Sequence, residues 1–399
     1  MGLCSASGGG SAVTCEMPAC PGAGVGLRLP LPMKALAILL TFLCAAGVYA
    51  ASLEEEIEQI RAKHGLPSLA VYAQVGEGAP VSIATGVRKL GAPERVTTQD
   101  VWHIGSCTKS MTATLAALYV AQGKLKWTTT VGEIFPEWHG AMPAEWKGVT
   151  LEQLLMHRSG APGDAPPDLW AIASRRAEAP MNDRLNFVHG LVTRPPAAPP
   201  GTKYIYSNQG YAIAGAMVER VAKRPWEQLM REQIFGPLEM KSAGFGVPAS
   251  PGQVDQPWGH AGDGDKATPV APGPEADNPP VIGPAGTVHC SLADLAKYCA
   301  IHELGEEKGW KGLKPQDFVK LHTPAPDGDY AMGWGVARRD WAGGVALNHS
   351  GSNKMFFTDI WIAPAKKAVF ISATNIGGDP AAAACDEAVA AAIRRFLSS

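Results

Sequence analysis

Residues 106–122 read SCTKSMTATLAALYVAQ. Apolar side chains return on every turn and Gly123 follows, which predicts a helix with a long apolar face, largely buried. Strand signals stand on both sides of it. Upstream, LAVYAQV (69–75) and VSIATGV (81–87) flank Gly76-Glu77-Gly78-Ala79-Pro80 and predict a β-hairpin. A helix precedes the hairpin, capped by Ser52, with Leu53, Ile57 and Ile60 on one face and Gly65 at its end. Downstream, strand-like runs return only near the C-terminus: YAMGWGVARR, GVALNHS, FFTDIWIA and KAVFISATN. A last helix runs from Pro380 to Leu397.

From about 126 to 324 short helices alternate with Pro/Gly segments: APGDAPP, RPPAAPPG and the long stretch from Ala249 to Pro284. The pattern predicts an α/β fold. One antiparallel sheet, built from N- and C-terminal segments, is covered by helices, and a mainly helical lobe is inserted in the middle. The α/β lobe takes about 51–125 and 325–399, the helical lobe about 126–324. A cleft between them is the expected place for a site.

With 399 residues, 46% hydrophobic and 18% charged, and a net charge of −2, the chain has ample apolar content for a large core, which excludes disorder throughout. Thirty-five basic against 37 acidic residues leave no electrostatic footprint for nucleic acid. Residues 1–32 are rich in Gly, Ala, Ser and Pro without periodicity and are expected to be unstructured. Met33-Lys34 then opens the apolar run ALAILLTFLCAAGVYA, which exits through Val48-Tyr49-Ala50. This predicts a signal peptide over 33–50, a natural start at Met33 and a mature chain from Ala51, exported to the periplasm or beyond. An uncleaved anchor is the alternative, and membrane contact is expected only there; the run is short of the ~20 apolar residues a span needs.

Cys4, Cys15 and Cys20 complete no zinc spacing, and the ten histidines include no H-E-x-x-H, so neither metal nor cofactor is expected. Cys107, Cys290, Cys299 and Cys385 read as buried free thiols.

Ser106-Cys107-Thr108-Lys109 opens the buried helix. Three residues' separation puts Ser106 and Lys109 on one face, and the helix N-terminus favours a developing alkoxide. A neutral Lys there can remove the hydroxyl proton. Taken alone, an S-x-x-K is expected about once by chance in such a chain. Tyr206-Ser207-Asn208 is rarer and precedes the helical run from Tyr211. His349-Ser350-Gly351 stands in a strand-like segment, although His103-Ile104-Gly105 and His260-Ala261-Gly262 share its H-x-G spacing.

In that order, S-x-x-K, Y-x-N and [K/H]-x-G on a C-terminal strand, the chain resembles the serine β-lactamase and penicillin-binding-protein superfamily, and more closely its class C β-lactamase-like branch of DD-peptidases, D-aminopeptidases and esterases. Supporting stretches include TLEQLLMHRSGAP, PAGTVHCSLADLAKY, YAMGWGV and NHSGSNKMFFTDIWIAP, and coverage runs from about Ile60 to Phe396. The resemblance implies Ser106 as the acylated nucleophile, Lys109 as its proton partner and Tyr206 as general base, its phenolate favoured by nearby positive charge. It implies that Asn208 bonds the substrate amide. His349 replaces the Lys of most β-lactamases, and Ser350-Gly351-Ser352 forms the edge against which substrate lies. The amides of Ser106 and Ser352 would make the oxyanion hole. No S-D-N motif is present, which argues against a class A arrangement.

Each residue also has a plainer reading. Ser106 could be a helix cap, Lys109 a surface residue of the first turn, Tyr206 a core anchor and His349 a satisfied core histidine. An unperturbed imidazole is only partly charged at pH 7, so a pull of His349 on anionic substrates would fade from about pH 5.5 to 8. The expected function is an exported serine hydrolase acting through an acyl-enzyme on a small ester, amide or D-peptide. The alternatives are a D-alanyl-D-alanine carboxypeptidase, a class C-type β-lactamase and a non-hydrolytic penicillin-binding-type protein.

Overall fold

The computed structural model describes residues 53–173, 179–262 and 264–397. The segment 1–32, the predicted signal peptide 33–50, the start at Ala51 and the Ser52 cap lie outside the described residues.

Helix α1 (residues 53–63) ends ahead of Gly65, whose φ of +64° turns the chain into the hairpin β1 (Ser68–Val75) and β2 (Val81–Gly86). A short strand β3 (Val101–His103) and a 3-10 turn (Gly105–Cys107) lead into α2 (Thr108–Ala121). Further on come α3 (Leu151–Leu155), α4 (Asn208–Ala222), β4 (Gly244–Phe245), β5 (Val288–Ser291) and α5 (Leu292–Glu303). The C-terminal strands are β6 (Gly335–Arg339), β7 (Gly344–Ser352), β8 (Phe357–Ala363) and β9 (Ala368–Thr374), and α6 (Asp379–Leu397) follows them.

The main sheet has the order β2-β1-β9-β8-β7-β6, with antiparallel neighbours throughout. The two ends of the chain meet where β1 pairs with β9, Ala70 opposite Ala373 and Tyr72 opposite Ile371. Side chains of a strand alternate between faces. Leu69, Val71 and Ala73 accordingly join Ile57, Ile60, Ala384 and Ala388 on the side of α1 and α6. Ala70 and Tyr72 join Met111 and Leu115 of α2 on the other. Because both faces are covered, all of β9 is buried. α2 is buried on every side from Thr108 to Tyr119, Lys109 included, so more than the predicted apolar face is inside. α5 falls within the Pro/Gly-divided middle of the sequence yet packs on β9.

One strand reading needs correction. Of YAMGWGVARR only Gly335–Arg339 is strand. Gly333, at φ +82°, brings the backbone so close to α2 that a β-carbon there would stand 2.4 Å from Ser110 Cα. Tyr330 to Trp334 therefore fold over the helix instead of extending the ladder. Cys107, Cys290, Cys299 and Cys385 are buried and free, as expected. Among the described residues no helix is long and apolar enough to cross a membrane.

Candidate active site

The order of β3, β5 and β4 in a small sheet fixes the approach to Ser106: Trp102 lies opposite Cys290, and the Ile104 N–H donates to Val288 O at 3.0 Å. The chain then turns at Gly105, φ +48°, where a β-carbon would stand 2.3 Å from the Ser352 nitrogen. Only glycine fits that approach. Ser106 follows at the N-terminal end of α2.

Lys109 Nζ lies 2.9 Å from Ser106 Oγ, 2.7 Å from Asn208 Oδ1 and 2.9 Å from the Ala285 carbonyl oxygen. Two of these partners, the Asn208 and Ala285 oxygens, can only accept. A neutral amine satisfies both with its two hydrogens and points its lone pair at the Ser106 hydroxyl. Burial pushes the Lys109 pKa from 10.5 down to about 7, so this neutral form is well populated at physiological pH.

Tyr206 and Asn208 sit at the mouth of α4. Ser207 caps the helix, its Oγ accepting from the Gly210 N–H at 3.1 Å. Asn208 is thereby the first helical residue, two positions after Tyr206, whose ring centroid is 4.7 Å from Lys109 Nζ. The phenolate expected at Tyr206 is not favoured. The residue as a whole is 38% exposed, but burial of the phenol among its neighbours pushes its pKa up, and the adjacent Ser106 hydroxyl opposes this only in part. Tyr206 keeps its proton.

His349, on β7, is also corrected. The imidazole expected to titrate between about pH 5.5 and 8 is pushed down to about 3, first by burial and then by the nearby Lys109 charge. Its hydrogen bonds fit a neutral ring. Nδ1 faces the Ser350 carbonyl oxygen at 2.6 Å and so carries the hydrogen, which leaves Nε2 to accept from the Tyr330 hydroxyl at 3.0 Å.

β6 pairs with β7 only as far as Asn348, while β8 continues along the other edge to Ser352. His349 to Ser352 thus project past the end of β6. Gly351 lies against the turn of Ser106: a β-carbon there would stand 2.0 Å from Ile104 O and 2.7 Å from the Ser106 nitrogen. The Ser350 side chain points away, to the opposite face, where its Oγ donates to Asp359 Oδ1 at 3.0 Å. Only the carbonyl of Ser350 joins the group.

The structure therefore gathers Ser106, Lys109, Tyr206, Asn208, His349, Gly351 and Ser352 at one place. It adds three groups that were not singled out from the sequence: Tyr330, the Ala285 carbonyl and His157, which sits 4.4 Å from Tyr206 ring to ring. All three stand in stretches that carry the resemblance (YAMGWGV, PAGTVHC and LLMHRSG), and that was the only available signal.

Comparison with known proteins places the chain in a family. The chain is 27% identical over 334 residues to penicillin-binding protein 4 of Amycolatopsis lactamdurans, covering 81% of this chain and 84% of that one. It is 25% identical over 280 residues to a beta-lactamase of Escherichia coli K12, covering 69% and 67%. An unguisins hydrolase of Aspergillus violaceofuscus is 28% identical over 261 residues, 63% of this chain and 44% of its own length. Among solved structures, the octameric penicillin-binding protein homologue from Pyrococcus abyssi superposes with a TM-score of 0.69 at 23% identity, covering 85% of this chain and 76% of that one, which shows a shared fold. The Beta-lactamase family matches residues 53–394, most of the chain, and the protein belongs to that family.

Proposed function

We propose that this member of the family is an exported serine hydrolase that forms an acyl-enzyme at Ser106 with esters or amides that carry no carboxylate. The observation that carries the reading is the buried Lys109 amine, 2.9 Å from Ser106 Oγ, with two acceptor-only partners on its other side. Ser106 Oγ attacks the substrate carbonyl carbon while its proton passes to Nζ. The oxyanion lies at the amides of Ser106 and Ser352. As the bond to the leaving oxygen or nitrogen breaks, Tyr206 gives its hydroxyl proton to that atom and takes the one on Nζ. Asn208 Oδ1 is held by Lys109, so its NH₂ is left to donate to the substrate. Water then attacks the acyl carbonyl, returns its proton through the same groups, and frees Ser106 and the product acid.

Penicillins and D-Ala-D-Ala peptides carry a carboxylate, and the neutral His349 offers it no cation. Short esters and D-amino-acid amides need none. Relatives named as a beta-lactamase and a hydrolase agree with cleavage of an acyl bond. Export rests on the apolar run at 33–50, and N-terminal sequencing of the secreted protein is expected to begin at Ala51.

The test is intact-protein mass spectrometry after exposure to a fluorophosphonate, a penicillin and a D-Ala-D-Ala peptide, beside turnover of a nitrophenyl ester. A fluorophosphonate adduct lost in Ser106→Ala, with rapid ester turnover and little penicillin hydrolysis, is expected. Fast penicillin hydrolysis would make it a β-lactamase, and release of D-Ala a carboxypeptidase. A lasting penicillin adduct without ester turnover would make it a non-hydrolytic binding protein.

A further inference from the structure

His157 takes no part in the scheme above, yet its ring packs on Tyr206 at 4.4 Å and it binds the backbone on both sides of that residue. α3 ends at Leu155, and His157 reverses the chain with a φ of +59°, a conformation that few residues other than glycine adopt. That reversal aims both its backbone carbonyl and its ring at the segment before α4. The carbonyl oxygen accepts from the Ile205 N–H at 2.8 Å, and Nδ1 accepts from the Ser207 N–H at 3.0 Å. One residue thus holds the amides on both sides of Tyr206. A backbone N–H only donates, so Nδ1 has no hydrogen and Nε2 carries it. Nε2 is buried without a hydrogen-bond partner among the described residues. Around the ring stand Tyr206 at 4.4 Å, Tyr330 at 4.8 Å, Tyr211 at 5.2 Å and Tyr204 at 5.7 Å between centroids. Burial holds the imidazole neutral, and the charge of Lys109 adds to the effect.

We propose that His157 is a positioning residue, which by binding the amides of Ile205 and Ser207 with its hydrogen on Nε2 fixes Tyr206 and Asn208 over Ser106 and Lys109. The consequence rests on the reading of Ser106 as nucleophile. Ser207 is the cap of α4 and Asn208 its first residue, so a slack Ser207 amide moves both functional side chains at once. The ring also packs on Tyr330, the hydrogen-bond partner of His349, and so couples the two walls of the site.

The experiment compares His157→Asn with His157→Leu. Asn tolerates the left-handed backbone and its Oδ1 can accept from the Ser207 N–H; Leu offers no acceptor. Turnover of a neutral nitrophenyl ester is measured per site labelled by a fluorophosphonate. We expect kcat to fall about 100-fold in His157→Leu, the scale of a misplaced proton-transfer group, with KM within about threefold. His157→Asn should recover to within about tenfold of native. A folded His157→Leu with native kcat, or a folded His157→Asn as slow as His157→Leu, overturns the proposal. The native protein supplies a readout that does not depend on folding of a variant: ¹⁵N resonances of His157, assigned by through-bond correlation to its own backbone. They should report hydrogen on Nε2 alone from pH 5 to 8, and hydrogen on Nδ1 overturns the proposal. Native protein that takes no label at Ser106 refutes the nucleophile instead, with the tautomer result unaffected.

Discussion

Gly351 and Ser106 are in contact through their backbones: a β-carbon on Gly351 would stand 2.7 Å from the Ser106 nitrogen. The strand that ends beyond β6 and the turn that carries the hydroxyl are therefore packed as one unit, and the two amides proposed for the oxyanion belong to it. Gly351→Ala must push one of them aside. Overpacking of this kind costs about 1–3 kcal/mol, and loss of an oxyanion donor about 100-fold or more in kcat. A folded Gly351→Ala enzyme with ester turnover within threefold of native would show that the contact does not matter for the reaction.

In the proposed scheme Lys109 sets the pH dependence of acylation. With its pKa lowered to about 7, the base form gains population as pH rises through that value. kcat/KM for an uncharged ester should climb through one ionisation near pH 7 and then level, since Tyr206 retains its proton well above that range. A profile flat from pH 6 to 9 contradicts Lys109 as the proton acceptor.

The same burial has a stability consequence of definite sign. Between about pH 7 and 10.5 the unfolded chain binds a proton at Lys109 that the folded chain does not, so this residue raises stability as pH rises there. Removing it in Lys109→Met removes that slope. Denaturant titrations should show the native protein gaining on the variant by about 1.4 kcal/mol per pH unit between pH 8 and 10. Equal slopes for the two proteins would mean that Lys109 is charged in the folded state.

His349 stays neutral from pH 5.5 to 8 because its pKa is pushed down to about 3. KM for a carboxylate-bearing substrate and for a neutral one of similar size should follow parallel pH profiles, and His349→Gln should leave that relation unchanged. A rise in KM seen only for the anionic substrate, and abolished in His349→Gln, would restore the cationic role.

Much of the fold was legible in the sequence because period-2 and period-3.6 patterns report burial directly. β2 and the helix from Asp379 follow such patterns, whereas β1, β9 and α2, covered on both faces, show as near-continuous apolar runs. Tyr330 to Trp334 misled, because its apolar residues look like a strand while Gly333 answers to a contact with α2 that no local pattern encodes. For the candidate site, the order of S-x-x-K, Y-x-N and H-x-G named Ser106, Lys109, Tyr206, Asn208 and His349 as a set, and α2 by itself placed Ser106 beside Lys109. The charge states depended on tertiary structure. Lys109 and His349 are shifted by desolvation, and desolvation is a property of everything packed around a group rather than of its own neighbours in the chain. Nor could sequence reveal that the Ala285 oxygen and Asn208 leave Lys109 a lone pair for Ser106, or that His157 grips both sides of Tyr206. Those relations join residues 48 to 176 positions apart, and only the folded chain brings them within a hydrogen bond of each other.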